Sequence, residues 1–171
     1  MKKSNWTYKV FFITFLLAAL FTIITNMFTN VGIIILSLVI TLVILIGILF
    51  DMIGVATLTS KEKNFHARAS KKQKGAKESI TLLKNASVVA SFCNDVIGDI
   101  CGIVSGGLGT TLALTLATKY NLNIILVTTI LAALISALTV GGKAIGKNIA
   151  IKKSDNIIFF VGKLKSVLKI K

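Results

Sequence analysis

The sequence predicts an all-α membrane protein with about four transmembrane helices and short amphipathic helices at the cytoplasmic interface. Three observations carry this. Of the 171 residues 54% are hydrophobic and the mean hydropathy is +0.86, above the apolar share of about 45–50% in a soluble domain. The apolar residues gather into runs of about twenty, the length that crosses a hydrocarbon core. The net charge of +14 lies between those runs, clustered at the N-terminus, between residues 61 and 84, and from 143 to 171. A nucleic-acid-binding domain would spread its basic residues over one exposed face. Basic residues that flank apolar spans are the membrane pattern instead, so no nucleic-acid partner is expected. The length suits a single multi-pass domain over residues 1–171.

The first nine residues are short and basic, with Lys2, Lys3 and Lys9, and Trp6 and Tyr8 as interface anchors. Residues 11–28 are apolar. A basic start, an apolar run and the small residues Ala18 and Ala19 also fit a secretory signal peptide. The run is long for one, and no small-x-small site ends it, so we read an uncleaved extra N-terminal span over residues 1–30. Asn30 separates it from a second run, 31–50, which continues through Asp51 to about Leu58. Its β-branched residues do not argue for strands, because an isolated strand leaves its backbone unsatisfied in lipid.

Residues 59–87 form the only long polar stretch. Gly75 divides it, and Phe65, Ala69 and Lys72, then Ala76, Ile80 and Leu83, fall at helical spacing. Two short helices at the cytoplasmic interface are predicted; a basic loop touching anionic lipid is the plainer alternative. Residues 88–118 exceed one simple span, and a tilt, or a bend or break near Gly106-Gly107-Leu108-Gly109, is expected. After a short loop with Lys119, residues 124–140 make the fourth span. Ser154 or Asp155 is expected to cap a last helix. Its Ile157, Phe160, Val161, Leu164 and Leu168 form an apolar stripe, which suits either an interfacial helix or packing on the domain's own helices. Four spans put both termini and the central basic stretch on one side, cytoplasmic by the positive-inside rule. The lysine- and isoleucine-rich composition suits a bacterial plasma membrane.

The chemistry concentrates in SFCNDVIGDICGIVSGGLG, residues 91–109. Ionisable groups at membrane depth are costly and mark functional sites by default. Asp95 and Asp99, four residues apart, share a helix face and would repel unless a cation, a proton or a basic side chain intervened. A hard cation such as Mg²⁺ takes carboxylate, amide and water oxygens, which Asn94, Asp95 and Asp99 offer. Asp51 joins them from the second span; a snorkelling position at headgroup level is an equal alternative for it. A neutral or lysine-paired network is the alternative for the other acids, and Lys143, closing the fourth span, is the obvious partner. Gly98, Gly102 and Gly106 form a small-xxx-small row that lets helices approach, and Gly142 and Gly146 repeat the spacing. Cys93 and Cys101, eight positions apart, stand about 12 Å apart along a helix, too far for a disulfide, and are expected to be buried thiols. His66 reads as solvated. No Ser/His/Asp set, phosphate-binding glycine loop or HExxH motif is present, so no enzymatic activity is expected.

From Phe50 onward the order of features resembles the transmembrane domain of the CNNM/CorB/CorC family of magnesium and cobalt transporters. The most specific match is GAKESITLLKN followed by CNDVIG, with FDMIG before it and GKAIGKNIA after it. The likeness covers roughly residues 33–165, within a core of 31–165. It implies that Asn94 falls on an ion-binding asparagine, that Asp51 and Gly54 fall around a motif supplying serine hydroxyls, and that Gly142 and Lys147 fall on a motif glycine and lysine. The chain departs from the pattern at Asp51-Met52-Ile53-Gly54, which replace Ser-Gly-Ser-Glu. Gly98 stands for a second asparagine, Lys143 for a glutamate and Gly146 for a proline. The family's paired nucleotide-binding and acidic-interface domains have no counterpart in these residues.

The expectation is therefore a membrane protein, homodimeric as the resemblance implies, that binds or transports a divalent cation, Mg²⁺ or Co²⁺, through Asn94, Asp95, Asp99 and Asp51. The rival is a non-transporting membrane adaptor. Its intramembrane acids would pair with Lys143 or with a partner, and its basic cytoplasmic helices would take a soluble subunit or lipid.

Overall fold

A computed structural model describes residues 3–27 and 31–168. The Asn30 turn, Lys2, Lys169, Lys171 and the side chain of Trp6 lie outside the described residues. Every regular element among the described residues is helical: α1 (Lys3–Asn26), α2 (Ile33–Thr59), α3 (Lys63–Ser70), α4 (Ala76–Lys84), α5 (Ala86–Ser91), a π-helical segment (Phe92–Gly98), α6 (Asp99–Tyr120), α7 (Ile124–Lys152) and α8 (Ser154–Val167). Three helical stretches are long and apolar enough to cross a membrane: Ile33–Thr59, Ala86–Tyr120 and Ile124–Lys152. In α1 the apolar stretch Tyr8–Ile24 is shorter.

The side chains suit lipid. Leu38, Leu42 and Leu45 of α2 and Leu126, Ile130 and Leu134 of α7 are exposed, an arrangement that water would penalise. Hydroxyls inside these helices do not seek water: Ser37, Thr41, Thr57, Thr115, Thr129 and Thr139 each donate to the carbonyl four residues back. That pattern satisfies a polar side chain within its own helix.

The chain divides into two compact units, Met1–Ile48 with Val96–Gly142, and Leu49–Asp95 with Lys143–Lys171. In the first, Leu36, Ile40 and Ile44 of α2 pack with Ile100, Val104, Leu108 and Leu112 of α6 and with Ile135 of α7. Both rows repeat every four residues, the ridge that helix pairs interdigitate. Gly109 leaves the notch that receives Ile135, and Gly142 the one that receives Ile48. Of the small-xxx-small row Gly98 is buried, whereas around Gly102 and Gly106 a side chain would meet nothing within 4 Å. Nor does the third segment break at its glycines. α6 runs through them, and the irregular turn comes earlier, at Phe92–Gly98. The α6–α7 link uses two asparagines: Asn121 takes the left-handed conformation (φ 51°), which asparagine tolerates, and Asn123 Oδ1 accepts the N–H groups of Ile125 and Leu126.

In the second unit Ala56, Phe65, Ala150 and Ile158 form the core. Gly75 does separate two short helices, α3 and α4, and α4 packs on α8. The contact is backbone against backbone. A methyl group on Gly162 would lie 2.5 Å from Gly75 O and 2.9 Å from Ser79 N, and one on Gly75 would lie 2.6 Å from Lys163 N. Ser79 Oγ, fully buried, sits 2.8 Å from Gly75 O and 3.1 Å from Ile158 O and shares its proton between them. The apolar stripe expected on α8 is only partly covered: Ile157 and Val161 are half-buried, with Ile157 against the core, while Phe160, Leu164 and Leu168 are exposed; the buried face is that of Ile158 and Gly162.

Neither Ser154 nor Asp155 caps α8; the N-cap is Lys153, without a side-chain cap. Asp155 instead accepts hydrogen bonds from Ser60 Oγ and Asn64 Nδ2, and Arg68 stacks 4.6 Å from the Phe159 ring centroid. These contacts strap α3 to α8. Asp155→Ala is expected to cost about 1.5–3 kcal/mol, the range for losing hydrogen bonds to a charged acceptor, read as a lower thermal midpoint in detergent. An unchanged midpoint would show that the strap holds nothing.

Candidate cation site

The site builds from α2 and the π segment, within the second unit. Asp51 lies well inside α2 and is 3% exposed, so it is enclosed by protein and does not snorkel from a helix end. Gly54 follows three residues on, on the same face and about 4.5 Å along the axis. A side chain on Gly54 would overlap the carboxamide of Asn94. Gly54 is thus the residue that lets Asn94 lie against α2, one turn from Asp51. Asn94 and Asp95 sit in the middle of the π segment Phe92–Gly98. Such a turn is wider than an α-turn, is uncommon, and is frequent at functional sites.

Two oxygens here lack hydrogen bonds. Asp51 Oδ2 and Asn94 Oδ1 are both shielded from solvent and have no hydrogen-bond partner. An unsatisfied buried acceptor costs about 1–3 kcal/mol, more when charged. The single charge brought to Asp51 Oδ2 among the described ion pairs is Lys147 Nζ, at 3.5 Å, on a side chain that is half exposed. That pairing is electrostatic rather than a satisfied hydrogen bond.

The other expected ligands are placed differently. Asp95 is exposed, and its Oδ2 accepts a 2.7 Å hydrogen bond from Ser91 Oγ. Asp99 is exposed, opens α6 and belongs to the other unit. Asp99 and Lys143 each have an interaction partner. Among the described residues no three His, Cys, Asp or Glu side chains gather to hold a metal. The arrangement therefore leaves one carboxylate oxygen and, about one turn along α2, one carboxamide oxygen without hydrogen bonds, with a lysine ammonium beside the carboxylate. Cys93 and Cys101 are both buried. His66 is exposed, 3.4 Å from Glu62.

Lys147 is the residue that sequence reasoning did not assign to the acids. Lys143, one helical turn earlier, was expected to pair with Asp95 or Asp99, and the register of α7 against α2, which brings Lys147 to Asp51, is a tertiary property. No protein-family model matches this chain, and no curated protein is significantly similar to it in sequence. The likeness to CNNM/CorB transporters rests on the motifs quoted above.

Proposed function

We propose that the chain is a four-span membrane protein, with both termini on the cytoplasmic side of a plasma membrane, that binds a divalent cation, Mg²⁺ or Co²⁺, at Asp51 and Asn94 and moves it as cargo. The carrying observation is the pair of solvent-shielded, unpartnered oxygens, Asp51 Oδ2 and Asn94 Oδ1. A carboxylate and an amide carbonyl are hard ligands, and Mg²⁺ commonly takes one or two protein oxygens and keeps waters for the rest of its octahedron. Asp95, already engaged by Ser91, is assigned no direct bond, and the proposal does not depend on Asp99. Lys147 acts as an internal counter-charge that cargo displaces from Asp51. The charge distribution supports the topology: lysines flank the helical stretches on one side, and at the α6–α7 end the one lysine is Lys119, in the last turn of α6. The unfilled surface at Gly102 and Gly106 supports homodimer formation through small residues.

The Lys147–Asp51 pair also favours a second reading, a non-transporting adaptor in which the lysine fills the site permanently. Lys147→Gln separates the two. Removing the ammonium leaves a buried carboxylate uncompensated, a loss of up to about 3–5 kcal/mol for buried pairs, discounted here because Lys147 is half exposed. If cargo competes with Lys147, the variant binds Mg²⁺ about tenfold tighter, ~1.4 kcal/mol, and Mg²⁺ restores its thermal midpoint. If the lysine is structural, the variant loses stability and Mg²⁺ restores nothing. Flux of Mg²⁺, Co²⁺ and Ca²⁺ into proteoliposomes then tests transport; no flux above empty vesicles would overturn the transport half of the reading.

A further inference from the structure

Helix α8 is covered on one side only. Ile158 is fully buried, whereas Phe160 is 62% and Leu164 46% exposed. Beside them lies a groove of about 390 Å³, within the ~300–1,000 Å³ of ligand pockets. Leu49 of α2, Ile149 of α7, and Phe160 and Leu164 of α8 wall it, and Lys153 and Asn156 are its polar lining residues among those described. Two of its walls belong to helices long and apolar enough to cross a membrane, so the groove opens where acyl chains are.

The charge along this stretch is predominantly positive. Lys152, Lys153, Lys163 and Lys165 cluster along this stretch of sequence. The one acid beyond residue 143, Asp155, is held by Ser60 and Asn64. A peptide occupant would need partners for its backbone polar groups, at a cost in an apolar groove that hardly supplies any. A hydrocarbon chain with an anionic head needs none.

We propose that this groove holds an acyl chain of an anionic phospholipid, with the Lys153 ammonium on its phosphate. Lysine reaches a headgroup by extending its stem over apolar surface, and anionic lipid favours each nearby lysine. The assignment rests on the membrane reading above and is independent of the cation site. It therefore fails or stands separately from Mg²⁺ binding.

The test uses the full chain carrying Trp6→Phe in bilayer nanodiscs, with Phe160→Trp as a fluorescent reporter. Leu42→Trp is the control, on an exposed α2 surface whose lining includes no lysine. Brominated phosphatidylglycerol and brominated phosphatidylcholine are compared as quenchers at equal mole fraction. At position 160 phosphatidylglycerol is expected to reach half-quenching at about fivefold lower mole fraction. At position 42 the two lipids act alike. Lys153→Gln removes the preference and Lys153→Arg keeps it. Equal quenching by both lipids at position 160 would overturn the proposal in favour of ordinary annular lipid. So would a phosphatidylglycerol preference at both positions, or one indifferent to Lys153→Gln. Absence of quenching at position 160 would mean that protein covers the groove, and would overturn it as well.

Discussion

Asp51→Ala is expected to weaken Mg²⁺ binding at least about a hundredfold, ~2.8 kcal/mol, while leaving the protein folded. The two halves of this expectation have separate causes. In the proposed site Asp51 supplies the negative charge, and without it the remaining Asn94 carbonyl would have to bind a divalent ion beside the Lys147 ammonium. The fold is spared because the partner left behind is half exposed and turns to water, so no charge is stranded in the interior. Asp51→Asn keeps an oxygen but not the charge, and is expected to fall between wild type and Asp51→Ala. The measurement is calorimetric titration of purified protein in detergent, with circular dichroism to verify the fold. Wild-type affinity in Asp51→Ala would remove Asp51 from the site.

Gly162→Leu is expected to be the most damaging single change in the second unit. Any Cβ at Gly162 meets the Gly75 carbonyl at 2.5 Å and the Ser79 amide at 2.9 Å, and also crowds the Ser79 hydroxyl. Backbone atoms cannot yield as a side chain can, so α8 must lift from α4. Lifting breaks the buried Ser79–Ile158 contact and uncovers Ile158, which is fully buried. Overpacking costs about 1–3 kcal/mol, and the orphaned buried polar groups add about 1–3 kcal/mol. A loss above about 3 kcal/mol follows, seen as a lower thermal midpoint and early proteolysis within residues 154–168. Gly162→Ala is expected to shift both readouts in the same direction by less. An unaltered midpoint in Gly162→Leu would mean that the α4–α8 contact is looser than its geometry.

Much of the fold was legible because lipid imposes simple rules. The apolar runs around residues 33–58 and 88–118 and the run from 124 have helix as their accessible spanning form, and they are helices. Gly75, at φ +93°, breaks the polar stretch where expected, because a left-handed turn suits glycine. Asn94 stood out as an amide in an apolar run, and it carries one of the two unpartnered oxygens. What stayed hidden depends on register between helices. Sequence spacing puts Lys143 and Lys147 on one face of α7 and cannot choose between them. The glycines followed the same logic. Gly102 and Gly106 match a packing motif yet stand open, whereas Gly142 of the second row and Gly54 and Gly162, in no such row, make close approaches. Asp155 looked like a helix cap, but the α2–α3 turn brings Ser60, and α3 brings Asn64, to it across the fold. The π segment had no sequence signal beyond the polar pair Asn94 and Asp95 at its centre.

The central claim is that Asp51 and Asn94 together hold a divalent cation. Calorimetric titration of MgCl₂ into wild-type protein and Asn94→Leu, in one detergent at one ionic strength, tests it most directly. A saturable single-site isotherm in the wild type that is lost in Asn94→Leu, with both proteins equally helical, is the expected result. No saturable heat in the wild type, or superimposable isotherms for the two proteins, would contradict it.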